Sequence, residues 1–204
     1  MTEAERFEEL LRRQCAGFAS IGGEISRVLM RHYELLRQWN KRLNLTGAAT
    51  LEEAVVRHYA ESLFLATLLP ESTRRVADLG SGGGFPGFPL AVLRPDVEVT
   101  LVESDQRKAA FLREVSDFAG NIRVRCIRAE SLEGTFDAVV GRAIRPADIL
   151  ATARRIAGGF GILLSRSDAE DLAGSANSQV WPLPWAPSSA ALVGLVPRET
   201  IQTR

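Results

Sequence analysis

Two kinds of apolar spacing divide the chain. From Ile25 to Leu45, the apolar residues Ile25, Val28, Leu29, Leu36, Trp39 and Leu43 recur largely at three- and four-residue steps among polar neighbours. That period gathers them on one stripe and predicts an amphipathic helix. Leu51 to Leu69 repeats the pattern with Ala54, Val55, Tyr59, Leu63 and Leu65, and Pro70 stops it. The first ~70 residues therefore read as helical.

The spacing changes at Arg75, where short valine-rich runs begin to alternate with helical stretches. The predicted strands are Val76–Leu79, Val97–Val102, Ile122–Ile127, Phe136–Val140 and Phe160–Leu164. The predicted helices among them are Pro86–Leu93, Asp105–Phe118 and Pro146–Ile156. Such alternation predicts an α/β fold, a doubly wound parallel sheet with helices on both faces. Beyond Ser167 the pattern blurs, and Ala190–Val196 is expected as a late antiparallel strand at the sheet edge. Residues 1–72 are expected to form an α-helical N-terminal cap, and residues 73–204 the sheet domain.

Composition narrows the function classes. Of 204 residues, 46% are apolar and 25% charged, an ordinary globular balance, and the formal net charge is zero. No global field draws the chain to nucleic acid or membrane, so any polyanion contact must come from local patches. Cys15 and Cys126 are too far apart in sequence for zinc-ligand spacing or a disulfide framework, and are expected as reduced, buried thiols. No metal site is expected. The acidic N-terminus MTEAERFEEL lacks an apolar signal core, and no apolar run approaches the ~18 residues of a membrane span. The expected location is cytoplasmic.

One stretch carries chemistry. VADLGSGGGFPGFPL, Val76 to Leu90, places Gly80, Gly82, Gly83, Gly84 and Gly87 between the first strand and the helix after it. Ordering so many glycines is costly, so the loop must need bare backbone. In open α/β sheets ligands bind beyond the carboxyl ends of the strands, where this loop lies. Gly82, Gly84 and Gly87 fit the dinucleotide pattern G-x-G-x-x-G. The competing ligand is S-adenosylmethionine, which carries an ammonium and a ribose diol but no phosphate. Asp78 argues for the second, because a carboxylate there repels a pyrophosphate and attracts an ammonium. Its plainer role is to cap the loop. Glu103 ends the second strand at the distance where an acid receives a ribose diol, which suits either ligand. Glu130, or the Ala129–Glu130 backbone, is placed to read an adenine amine. Arg142 ends the fourth strand facing the reactive end of the ligand, with a planar fork of donors for phosphate or a base edge. Its alternative is an ion pair with Asp78 or Glu103.

D78-LGSGGGFPGFPLA, V99-TLVES, K108-AAFLREV, R128-AE and F136-DAVVGRA together resemble the small-subunit ribosomal RNA guanine-N7 methyltransferase family, also called glucose-inhibited division protein B. W39-NKRLNLTG and R57-HYAESL are similar to that family's signatures ahead of the glycine loop. The resemblance covers Trp39 to Ala143, and the F-P-G-F-P-L continuation is its most specific part. It implies a class I, Rossmann-like methyltransferase that uses S-adenosylmethionine. The substrate it implies is small-subunit ribosomal RNA, expected within the 30S particle; no membrane partner is expected, and the enzyme is expected as a monomer. By matching positions it implies that Gly80, Phe85, Ala129, Glu130 and Arg142 touch the cofactor or line its pocket, and with Asp78, Ser81, Gly82, Gly84, Glu103 and Ser104 they make up the expected cofactor set. Arg142, His58 and Asn44 form the substrate-positioning set, with Glu61 beside them. The family usually has aspartate at the Glu61 position. After the fifth strand it commonly has lysine and glycine, where this chain has Ser165 and Arg166.

Guanine N7 carries a lone pair and no proton, so its methylation needs no general base. The base must instead be held in line with the methyl group. RNA contact needs local cations, and Arg27, Arg31, Arg37, Lys41 and Arg42 oppose Glu34 alone between positions 27 and 42. Arg57, Arg123, Arg125, Arg128, Arg142 and Arg145 add to them if they share a face. Two other functions fit parts of the pattern. An NAD-dependent oxidoreductase would need a nicotinamide half-site for which the chain has little room. A non-catalytic RNA-binding or assembly factor has Ser165–Arg166 as its only support.

Overall fold

The computed structural model describes residues 1–174 and 177–197. Three helical segments come first. Helix α1 (Glu3–Cys15) opens with a reciprocal cap between Thr2 and Glu5 and buries Phe7, Leu11 and Cys15, four residues apart on one stripe. Helix α2 (Gly23–Asn40) buries Leu29, Met30, His32, Tyr33 and Leu36. It stops five residues before the predicted end. Asn40 turns the chain there: its Oδ1 accepts from the Leu45 and Thr46 amides, and its Nδ2 donates to the Thr46 carbonyl. The third segment is continuous from 51 to 68 but changes pitch. Helix α3 (Leu51–Ala54) passes into a π-helical stretch, Val55–Ala60, and then into α4 (Glu61–Leu68).

The sheet follows. Its strands are β1 (Arg75–Leu79), β2 (Glu98–Val102), β3 (Ile122–Arg125), β4 (Ala138–Arg142), β5 (Gly159–Ser165), β6 (Asn177–Leu183) and β7 (Ala186–Leu195). Their order is β3-β2-β1-β4-β5-β7-β6. The first five pair in parallel, while β7 runs antiparallel to both β5 and β6. Helices α5 (Gly87–Leu93), α6 (Gln106–Ser116) and α7 (Pro146–Ile156) make the crossovers, and α8 (Arg166–Ala173) follows β5.

Alternation along the strands splits the core in two. Val76, Val99, Leu101, Val140 and Leu163 face α1, α2, α4, α5 and α6. Ala77, Leu79, Val102, Val139 and Ile162 face α7 and α8. The N-terminal helices thus share one core with a face of the sheet. The doubly wound expectation holds, with three corrections. The late strand is antiparallel but lies inside the sheet, because β6 covers it as the edge. That edge strand and α8 were hidden in the blurred C-terminal pattern. The fourth strand starts two residues later than predicted, since Phe136 is spent on the turn and donates its amide to the Ile156 carbonyl. Cys15 is buried, which pushes its thiol up to about 12, but Cys126 is only half-buried.

Candidate functional site

Backbone strain and close packing explain the glycines. Gly80, Gly82 and Gly84 have φ of 64°, 51° and 87°, the left-handed region that side chains rarely adopt. Gly87 serves packing instead: a Cβ there would lie 2.5 Å from Leu101 Cδ2 and 2.7 Å from Asp78 Oδ2. At Gly80 or Gly82 an added Cβ would meet a single atom, 3.7 Å away. The outer side of the loop is therefore bare, as a closely approaching ligand requires.

Two carboxyl groups tie the loop down. Asp78, fully buried at the end of β1, accepts from the Gly87 amide at 3.0 Å through Oδ2. Its other oxygen, Oδ1, is buried with no partner among the described residues. Burial pushes the Asp78 carboxyl up to about 7. Glu103, at the end of β2, accepts from Gly82 at 3.0 Å and from Asp105 at 2.9 Å. Ser81 joins the strands beneath: its amide donates to the Val102 carbonyl, and its Oγ accepts from the Val102 amide. Asp78 thus does cap the loop, and it also leaves one buried oxygen for a donor. An ammonium suits that oxygen and a pyrophosphate does not. The residues present fit a cationic amino-acid nucleoside.

Behind the loop stands a brace that the expected site residues do not include. His32 on α2 is fully buried, stacked on Phe88 at 4.4 Å between ring centroids. Its Nε2 donates to the Gly83 carbonyl at 3.0 Å, so its Nδ1 accepts from the Tyr59 hydroxyl at 2.7 Å. Burial holds this imidazole neutral, with its pKa lowered to about 3. A histidine within the apolar stripe of α2 was the available signal.

A second cluster gathers beside Phe85. Arg142 donates through Nη1 to the Arg57 carbonyl and to His58 Nδ1, and its Nη2 lies 3.2 Å from Glu61 Oε2. Its ion-pair partner is therefore Glu61, not Asp78 or Glu103. Since Arg142 can only donate, His58 carries its proton on Nε2 and gives it to Thr46 Oγ1. Burial, then Arg142, lowers the His58 pKa to about 4. A neutral imidazole with both nitrogens engaged is an orienting group. Phe85 packs against it at 5.0 Å between centroids. The π-helical pitch of Val55–Ala60 aims Arg57 and His58 at this point, a frequent use of such stretches.

The remaining expected residues are more dispersed. Asn44 is exposed on the loop after α2, while Asn40 braces that loop. Ser104 is exposed beyond β2. Ala129 and Glu130 lie in a single 3₁₀ turn after β3, with Glu130 exposed. Ser165 caps α8 and Arg166 pairs with Glu170, so both serve the start of that helix. The basic face is partly neutralised: Arg37 pairs with Glu3, Arg57 with Glu53, Arg123 with Glu98 and Arg145 with Asp148. Arg31 lies over the Phe118 ring. Lys41, Arg42, Arg125 and Arg128 are exposed. Among the described residues, no cluster of acids, histidines and cysteines could hold a metal, and no helix is long and apolar enough to cross a membrane.

The fold is that of the methyltransferases. A putative O-methyltransferase from Klebsiella pneumoniae superposes with a TM-score of 0.60 at 17% identity, over 95% of this chain and 99% of its own. The 23S rRNA methyltransferase ErmE superposes with a TM-score of 0.53 at 18% identity, over 70% of each chain. Within that class, residues 25–164 match the family model GidB, rRNA small subunit methyltransferase G, and the chain belongs to that family. It is similar to the ribosomal RNA small subunit methyltransferase G of Rhodospirillum centenum, with 52% identity over 54% of this chain and 51% of that protein. The Neisseria gonorrhoeae protein of the same name is 42% identical over 63% of this chain and 65% of its own length. The matches thus span between about half and two-thirds of these relatives.

Proposed function

We propose that this protein transfers a methyl group from S-adenosylmethionine to N7 of a guanine in small-subunit ribosomal RNA, presented in the 30S particle. The observation that carries the reading is Asp78: an acid at the end of β1, with one oxygen holding Gly87 and the other buried without a partner among the described residues. It stands within a chain that belongs to the GidB family. The cofactor supplies an electrophilic methyl group when bound. Asp78 then receives the ammonium, directly or through water, and Glu103 receives the ribose diol. The bare backbone of Gly80 and Gly82 lets the ligand approach, with Ser81 and Ser104 beside it, while Gly84 turns the loop against His32 and Phe88. Ala129 and Glu130 lie toward the adenine, and Phe85 closes the reactive end.

Guanine N7 needs no deprotonation, so these residues act by position. Arg142, fixed by Glu61 and His58, orients the base, and Asn44 lies on the substrate side. Residues 1–72 form the substrate-side cap, and exposed Lys41 and Arg42 in it offer phosphate contacts. The protein acts as a monomer in the cytoplasm. Ser165 and Arg166 are accounted for by α8, so their presence is no argument for a non-catalytic role.

The test is incubation with tritiated S-adenosylmethionine and 30S subunits from a strain lacking the modification. Label is expected in one guanine of the small-subunit RNA. No label in RNA overturns the reading.

A further inference from the structure

Arg142 brings a positive charge to the place where a positive charge is expected to bind. Gly141 is in register with Leu79, so Arg142 and Gly80 leave neighbouring strands side by side. The guanidinium donates to His58 Nδ1 at 3.1 Å, and that imidazole packs on Phe85 of the glycine loop at 5.0 Å between ring centroids, which sets the charge beside the loop that would hold the methionine end of the proposed cofactor. That end carries an ammonium and a sulfonium. Two unit charges ~8 Å apart repel by roughly 2 kcal/mol at an effective dielectric constant of ~20. Arg142 cannot swing away, because Arg57, His58 and Glu61 hold it from three sides.

The neighbouring acid resolves the conflict. Glu61 lies 3.2 Å from the guanidinium, with side-chain exposures of 19% for Arg142 and 8% for Glu61. The pair borders a cavity of about 150 Å³ lined also by Arg57, Leu163 and Ser189, beyond the carboxyl ends of β4 and β5. We propose that Glu61 is a counter-charge residue, whose carboxylate cancels the Arg142 charge so that the arginine can position the substrate without repelling a cationic cofactor. Glu61 then also spares the purine, which becomes cationic on methylation, from an uncompensated guanidinium. The inference rests on the cofactor reading above.

The charge can be separated from the shape. S-adenosylhomocysteine keeps the ammonium and nucleoside but has a neutral sulfur. Titration calorimetry of the purified full chain with each compound gives the preference for the sulfonium. In Glu61→Gln the affinity for S-adenosylmethionine is expected to fall roughly fivefold or more relative to that for S-adenosylhomocysteine. Glu61→Asp keeps the charge and should keep the wild-type ratio. Equal losses for both ligands, or an unchanged ratio in a folded Glu61→Gln protein, would overturn the inference. If Glu61→Gln does not fold by circular dichroism, Arg142→Gln carries the test. It removes the cation, so the preference for the sulfonium should hold or rise, and a fall overturns the proposal. Wild-type protein that binds neither compound would sink the cofactor reading itself.

Discussion

The two clusters that flank Phe85 are built in opposite ways. Asp78 and Glu103 accept from the backbone amides of Gly87, Gly82 and Asp105, all at most 21 residues away in sequence. Arg142 meets the side chains of His58 and Glu61 and the Arg57 carbonyl, 84 and 85 residues away in the first and last of these. The first cluster is a loop fastened to its own strands. The second exists only when the N-terminal helices dock on the sheet. Damage to the first should therefore appear as lost stability, and damage to the second as altered binding at modest cost to the fold.

Gly87→Ala should break the first cluster most severely. Its new Cβ would overlap Leu101 Cδ2 at 2.5 Å and the Asp78 carboxylate at 2.7 Å, and Leu101 is itself fully buried. Neither neighbour can retreat freely, so a loss of about 3 kcal/mol or more is expected in urea unfolding. A loss below ~1 kcal/mol would mean that α5 is not pressed against β1 and β2 as described.

His32→Leu comes next, because it strikes the brace that joins the two regions. It leaves the Gly83 carbonyl without its donor and the Tyr59 hydroxyl without its acceptor, in a site with no exposure. Each unsatisfied buried group costs roughly 1–3 kcal/mol, and leucine fills much of the volume, so a loss of about 2–3 kcal/mol is expected.

Asp78→Asn should act in the other direction. Burial raises the carboxyl from 3.8 to about 7 in the folded protein. The folded state then binds the proton more tightly than the unfolded chain. Without ligand, stability must fall as pH rises from about 4 to about 7 and level off above. Asparagine removes that slope and should stabilise the unliganded protein by roughly 1–2 kcal/mol at pH 8, as read from urea midpoints across pH. The same change should weaken S-adenosylmethionine binding. A variant that is less stable at pH 8 would show that Asp78 contributes to the fold as an anion.

Thr46→Val tests the second cluster gently. It removes the acceptor of His58 Nε2–H and the partner of the Ala48 amide while keeping the shape. Stability should fall by about 1 kcal/mol.

The contrast between clusters also explains what was legible. Strand–helix alternation and the glycine loop are local patterns, and β1, β2, α5 and α7 lie within two residues of where spacing places them. Asp78 and Glu103 were visible because each sits at a strand end next to that loop. Glu61 and Arg142 were each visible, but their pairing was not, since no local pattern joins positions 81 residues apart (142 − 61). His32 was hidden for the same reason. Strand β6 was hidden by its composition: Asn177–Leu183 includes Pro182, which an edge strand tolerates and a central strand does not. Helix α8 was hidden because it buries only Ala169, too little to leave an apolar stripe.

The smallest effect should come from glycine at Ala143, directly after Arg142, and it is sharpened by contrast with valine there. Its φ of 54° places a non-glycine residue in the left-handed region, on an exposed turn. For alanine that conformation costs roughly 1 kcal/mol. Glycine would relieve the strain but add a similar freedom to the unfolded chain, so Ala143→Gly should change stability by less than ~0.5 kcal/mol. Valine cannot relieve it, and its branched Cβ crowds the turn further, so Ala143→Val should lose about 1–2 kcal/mol. Equal stability for the two variants would show that the turn relaxes to negative φ. Arg142 would then leave β4 in another direction, and its hold on Glu61 and His58 would depend on the partners alone rather than on a turn that aims it.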